Sequence, residues 1–173
     1  MYYLGKDNKG QKPKKVRTEQ KKWIDKLDKV ISLYVRLRES REFKYKYFRC
    51  ISCGRVLPLE QADCGHYMSR RHMNTRFNTN NCHAECRHCN RFSADHLVGY
   101  RKNLVMKLGT MVWKKRYPGR TPDLASLKKF GEQQVDILEM QAHQPKKWDE
   151  WELEQLYRYY AAQVIEMDKE RGS

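Results

Sequence analysis

The sequence predicts a mainly helical α+β fold, with a small cysteine-stapled centre set among flanking helices. Three observations point there. Apolar residues recur at helical spacing near both ends of the chain. Two C-x-x-C pairs, Cys50/Cys53 and Cys86/Cys89, bracket a centre of short mixed segments. Hydrophobic residues make up 39% and charged residues 33% of the 173, which leaves room for one modest core.

Residues 1–17 read as a basic disordered arm, with Gly5, Gly10 and Pro13 and almost nothing apolar. This polar start lacks the apolar stretch of a secretory signal. No run approaches the ~18–20 apolar residues needed to span a bilayer. Residues 18–49 are expected to hold a helix from about Thr18 to Ser40 and a lead-in. Trp23, Leu27, Val30, Ile31, Tyr34 and Leu37 form the helix's apolar stripe. The lead-in, Phe43–Arg49, alternates aromatic and basic residues.

In the centre, residues 50–109, Arg55–Leu59 and Ala62–Met68 are expected to pair as strands, and Ser69–Asn80 reads as a polar loop. A short helix should start near Asn90. Gly99 weakens any long helix through that region, and Gly109 is placed as the C-cap of a second pattern over Tyr100–Leu108. Residues 110–173 read as a helical C-terminal region. A basic stretch, Trp113–Arg120, precedes a helix with Thr121 as N-cap and Pro122 at its first position. The last helix opens with a capping box, Asp149 and Glu152, and a staple, Trp148 and Leu153.

The chain carries a net charge of +15. By segment it is +10 over 1–49, +2 over 50–100, +7 over 101–147 and −4 over 148–173. Two basic segments flanking a near-neutral centre predict a polyanion partner, because each neutralised phosphate releases condensed counterions.

Six cysteines allow three disulfides, but the lack of a secretory signal and the spacing argue against them. Two C-x-x-C knuckles instead supply four thiolates on two tight turns, which is what tetrahedral Zn²⁺ takes, with redox or iron–sulfur use as the alternative. The 32 residues between the knuckles should carry structure of their own. Cys64 and Cys82 are left over and read as small buried side chains.

Taken together, C50-x-x-C53, G65-H66, N81 and C86-x-x-C89-N90 resemble the zinc-stapled HNH, or ββα-metal, nucleases. The stretches KVISLYVRLRES, GHYMSR, TRFN, NNCHAECRHCNR, VGYRKNLVMKLG and KKWDEWELEQLY are similar to the lambdoid-phage recombination endonucleases called NinG or Rap. That resemblance implies a zinc-stapled HNH-like core and metal-dependent cutting of branched recombination intermediates, Holliday junctions and D-loops. It also implies work in the cytoplasm of a bacterial host. Thr110–Ser126 is longer than the family leads one to expect.

The chemistry suits these residues. Phosphodiester hydrolysis needs a deprotonated water and a cation for the charged transition state. His66 is the expected general base, its alternative being a zinc or core histidine. Asn81 is expected to fix the loop that orients it. Asn90 offers an oxygen to Mg²⁺ or Mn²⁺, or caps a helix. Many HNH sites have an Asp before the base, whereas Gly65 stands here. Asp63 and His83 are the candidates for the cation's second ligand, and which of them serves is open. Arg70, Arg71 and Arg76 either clamp phosphates or belong to a solvated loop. Arg101 and Lys102 are placed on a duplex arm. Tyr45, Tyr47, Phe48 and Phe92 either stack on exposed bases or pack internally. Resolving a junction needs two symmetry-related cuts, so a homodimer is expected. The leading rival reading is a non-catalytic zinc module that binds nucleic acid, and a third is a structural adaptor whose acidic C-terminal helix recruits a partner.

Overall fold

The computed structural model describes residues 18–172. The arm expected over 1–17 lies outside the described residues. Helix α1, Glu19–Ser40, starts where Thr18 accepts a hydrogen bond from Lys21 N and buries Leu27, Ile31 and Val35. Two strands follow, β1 (Tyr47–Arg49) and β2 (Val56–Pro58), paired antiparallel with Phe48 opposite Leu57. The first cysteine knuckle forms the turn between them. A second antiparallel pair joins β3 (Ala62–His66) to β4 (Cys82–Cys86), with Ala62 opposite Cys86 and His66 opposite Cys82. Helix α2, Arg87–Phe92, starts directly on β4. Helices α3 (His96–Arg116), α4 (Leu124–Ala142) and α5 (Glu150–Gly172) complete the chain.

Both faces of the β3–β4 ladder are covered. On one face, α1 and α5 pack with Cys64, Cys82, Ala62 and Ala84 to form two adjoining apolar clusters. On the other, Tyr100 of α3 is fully buried and donates to the carbonyls of Gly65 and Asn81. A third apolar cluster, Leu104, Val105 and Leu108 with Val135 and Leu138, joins α3 to α4. The acidic C-terminal segment has an internal partner: α5 lies along the basic α1, with Arg41 paired to Glu170 at 2.6 Å. No described helix is long and apolar enough to cross a membrane.

The capping box of α5 forms as the sequence predicts. Asp149 N donates to Glu152 and Glu152 N to Asp149, while Trp148 and Leu153 meet in one cluster. Four local expectations are corrected. The strand over 55–59 pairs with β1 and not with β3, because the knuckle itself supplies a hairpin turn. The cap of α4 is Asp123, whose carboxylate accepts from Ser126 N at 2.8 Å, and not Thr121. Asn90 lies inside α2, and the cap there is Cys86. Gly109 is not a helix end, since α3 runs unbroken through Gly99 and Gly109.

At Gly99 a Cβ would meet the Ser52 carbonyl at 2.2 Å, and at Gly109 the reason is a close helix crossing. A Cβ on Gly109 would lie 2.0 Å from the Leu127 carbonyl, and one on Gly131 would lie 1.8 Å from the Val105 carbonyl. The segment 110–126 holds the last turns of α3, the elbow over 117–123 and the start of α4, with Arg116 between Tyr117 and Phe130. Backbone cannot give way as a flexible side chain can. Gly131→Ala should therefore lower stability by about 1–3 kcal/mol despite the better helix propensity of Ala. Urea melts would show this, and an unchanged midpoint would mean that the helices are not in such contact.

Candidate functional site

Cys50, Cys53, Cys86 and Cys89 bring their sulfurs within 4.8 Å of one another. The hairpin β1–β2 carries one pair, and the β4–α2 junction carries the other. Backbone N–H groups point at the sulfurs: Cys86 N donates to Cys50 Sγ at 3.3 Å and Cys89 N to Cys86 Sγ at 3.5 Å. Arg55 Nε donates to Cys53 Sγ at 3.4 Å. Burial raises the Cys53 thiol, but the bonds from Arg55 outweigh it and bring it down to about 7. Four soft donors in this arrangement fit a structural metal such as zinc.

His66 is the last residue of β3. Its Nε2 lies 3.2 Å from the Arg76 carbonyl. Burial first, then repulsion from Arg70, holds the ring down at about 4, against the pull of the Arg76 and Cys64 carbonyls. Asn81 is fully buried and closes the loop that follows His66. Its Oδ1 accepts from Met68 N at 2.7 Å, and its Nδ2 donates to the carbonyls of Met68 and Thr75 at 2.9 and 3.1 Å. The same loop is held from outside, as Trp148 Nε1 donates to the Met73 carbonyl and Asn74 to that of Gln141. Asn81→Ala would leave the Met68 amide without its partner, at a cost of about 1–3 kcal/mol. Amide exchange should then quicken over 67–80 with the metal content unchanged. Unaltered protection would sink this role for Asn81.

Asn90 Nδ2 donates to Asp63 Oδ2 at 3.1 Å. Arg91 also forks onto Asp63, at 2.7 and 2.9 Å. Burial raises the Asp63 carboxyl, but Arg91 and Asn90 together hold it below its usual range. The structure thus brings Asn90 and Asp63 together. His66 is not in contact with them: it and Asp63 are three apart on β3 and leave opposite faces.

His83 is corrected as a cation ligand. It is buried, with Nδ1 at 3.1 Å from Glu39 and 3.2 Å from Arg38, and Nε2 at 3.2 Å from the Asn80 carbonyl. Burial works against the Glu39 charge, yet His83, Arg38 and Lys107 hold that carboxyl far below the usual range. Arg76 is corrected as a phosphate clamp, since it forks onto Asp28 at 3.0 and 2.5 Å and ties the loop to α1. Arg70, Arg71, Arg101 and Lys102 are exposed. Phe48 and Tyr45 are core residues, whereas Tyr47 and Phe92 are exposed.

Sequence reasoning missed Glu85. It lies opposite Asp63 on β4, fully buried, with Oε1 accepting from Ser52 Oγ at 2.5 Å and facing His96 Nδ1 at 2.8 Å. Its Oε2 has no hydrogen-bond partner among the described residues. A Cβ on Gly65 would sit 2.2 Å from that oxygen. Gly65 therefore stands where many HNH sites have Asp because the Glu85 carboxylate already fills the space. The only signal in the sequence is an acidic residue on a strand whose register with β3 is long-range.

A family model described as "Bacteriophage Lambda NinG protein" matches residues 5–115. Protein ninG of Escherichia phage lambda is 33% identical over 88 residues, which is 50% of this chain and 40% of that protein. The ninG proteins of Escherichia phage 933W and Salmonella phage P22 are 32% identical over the same shares. The chain thus matches about 40% of the length of these relatives. No solved structure matches it. The matched residues run through both cysteine knuckles, the His66–Asn81 loop and most of α3, and with nearly two thirds of it inside the family model the chain belongs to the NinG family.

Proposed function

We propose that this chain is a metal-dependent, structure-specific DNA endonuclease of the HNH type, cutting branched recombination intermediates such as Holliday junctions and D-loops. One observation carries the reading. A strand ends in His66, its loop is tied back by Asn81, and an antiparallel partner leads straight into a helix that starts on thiolates and sets Asn90 against Asp63. That is the chain order of the parts a ββα-metal site uses, although His66 and Asp63 leave opposite faces of β3, so the two would have to meet the phosphate from either side of the strand.

Held at about 4, His66 is neutral at physiological pH and can take water's proton, though as a weaker base than an imidazole that titrates near neutrality. With the Asn90 amide turned so that its oxygen and not Nδ2 faces Asp63, the two would offer a carbonyl and a carboxylate oxygen, hard donors that fit Mg²⁺ or Mn²⁺ with waters completing the shell. Bound there, such a cation would stabilise negative charge on the phosphate. Arg91 would release Asp63 to admit it. The exposed Arg70, Arg71, Arg101 and Lys102 would hold DNA through its phosphates. Two such sites in a symmetric dimer would make the paired cuts that resolve a junction.

The rival reading, a zinc-stapled module that binds nucleic acid without cutting it, is favoured by the Arg91 fork on Asp63, which already satisfies the carboxylate. Incubation with labelled junction, D-loop, flap and linear duplex, with Mg²⁺, Mn²⁺ or chelator, separates the two. Cation-dependent, symmetry-related cuts in branched DNA are expected. Binding without cuts under every condition would leave the binding module. Equal nicking of linear duplex by a monomer would remove both branch preference and dimer. Asn90→Ala should raise the Mg²⁺ concentration needed for half-maximal rate and leave zinc in place. An unchanged titration would take Asn90 out of the cation's shell.

A further inference from the structure

The β3–β4 ladder carries a second group of donors. Cys64, His66 and Cys82 each place a ligand atom within 4.8 Å of the other two. The register explains why. His66 lies directly opposite Cys82, and Cys64 is two residues before His66. Residues that face each other across an antiparallel pair share a face, and so do residues two apart on one strand. All three side chains therefore leave one face as nearest neighbours. Both cysteines are free and buried, while the partly exposed His66 gives the cluster its opening.

This group is not an outlying part of the four-cysteine centre. That centre joins the ladder at Cys86, opposite Ala62, and the His66–Cys82 pair closes the other end. Four residues of strand separate the two ends, about 13 Å at ~3.3 Å per residue. One ion cannot serve both.

We propose that Cys64, Cys82 and His66 bind a second zinc-class cation, separate from the four-cysteine centre. Two thiolates and an imidazole are soft and borderline donors, which select Zn²⁺ over Mg²⁺ or Mn²⁺. Three protein ligands leave the fourth tetrahedral position to water, as in zinc sites that keep an open position. The Arg76 carbonyl, 3.2 Å from His66 Nε2 and 3.7 Å from Cys82 Sγ, closes the cluster on the loop side. On binding, two sulfur–metal bonds form, and the two thiol protons leave to solvent. The inference does not rest on the nuclease reading. It bears on it, however, because a cation on His66 takes up a lone pair that a general base would use. Zinc beyond the first equivalent should then slow any cleavage.

The test counts metal on the full chain. Protein purified under reducing conditions is equilibrated with Zn²⁺, cleared of loose ions by gel filtration and measured by elemental analysis. Two ions per chain are expected, and one after Cys64→Ala/Cys82→Ala. Replacing zinc by Co²⁺ should give thiolate-to-cobalt absorption in two steps, of which that double variant loses one and His66→Ala weakens the same one. A single ion and a single step in the unaltered chain would overturn the site. So would a second step that survives in the double variant, or a Cys64–Cys82 disulfide found by mass in natively purified protein. The count on the unaltered chain decides by itself, even if the double variant does not fold.

Discussion

Cys53→Ser should remove the ion of the four-cysteine centre and, with it, cooperative unfolding. Among these four ligands Cys53 alone is exposed, so serine fits there without disturbing the packing. What changes is the metal. Thiolate-bound structural zinc contributes roughly 10–16 kcal/mol of apparent binding energy in small domains, as much as the whole ~5–15 kcal/mol that holds a typical domain folded. The loss should spread outward along known contacts. Cys86 caps α2, and Cys50 receives the Cys86 amide, so the start of that helix and the position of Asn90 depend on the centre. The expected result is one ion fewer per chain and a broad melt. A sharp melt at the original midpoint, or an original protein with no metal on these cysteines, would show that the thiolates are not a structural centre.

The parts of this fold that were legible are those fixed by neighbours in sequence. The apolar stripe of α1 and the reciprocal bonds of Asp149 and Glu152 are local, so periodicity and spacing suffice to place them. The two knuckles were legible for the same reason. Strand β4 was not. Its five residues, CHAEC, are all buried because α1 and α5 cover one face and α3 the other, so the alternation that marks a half-exposed strand is missing. The run of α3 through Gly99 and Gly109 was hidden too. Glycine's low propensity reads as a break, yet the missing Cβ of Gly109 is what lets α4 approach, and that of Gly99 is what lets α3 lie against the Ser52 carbonyl.

The candidate site divides along the same line. His66, Asn81 and Asn90 stand at marked spacings and could be named, whereas their contacts needed the fold. The Asn90–Asp63 bond joins residues 27 apart in the chain, and the Asp28 fork on Arg76 joins residues 48 apart. Nothing in the loop 69–80 announces that its third arginine is already paired. Glu85 shows the limit most clearly: only the register of β3 against β4 places its carboxylate over Gly65.

His66→Ala should lower DNA cleavage by about 10²–10⁴-fold, the usual cost of losing a general base, and leave DNA affinity near its original value. On the proposed nuclease reading, affinity would come from phosphate contacts spread over the basic segments, of which His66 is not one. The ring is neutral, so its removal changes no charge at physiological pH. The four-cysteine ion should stay, because that centre joins the ladder at its other end, at Cys86. Rates and binding isotherms on the same branched substrate, with metal content and melting measured alongside, separate the possible roles. Cleavage at the original rate would take His66 out of the chemistry. Loss of binding and of the four-cysteine ion together would make it a structural residue. Loss of cleavage alone, with the fold, that ion and the affinity intact, is the outcome that only a role in the chemical step produces.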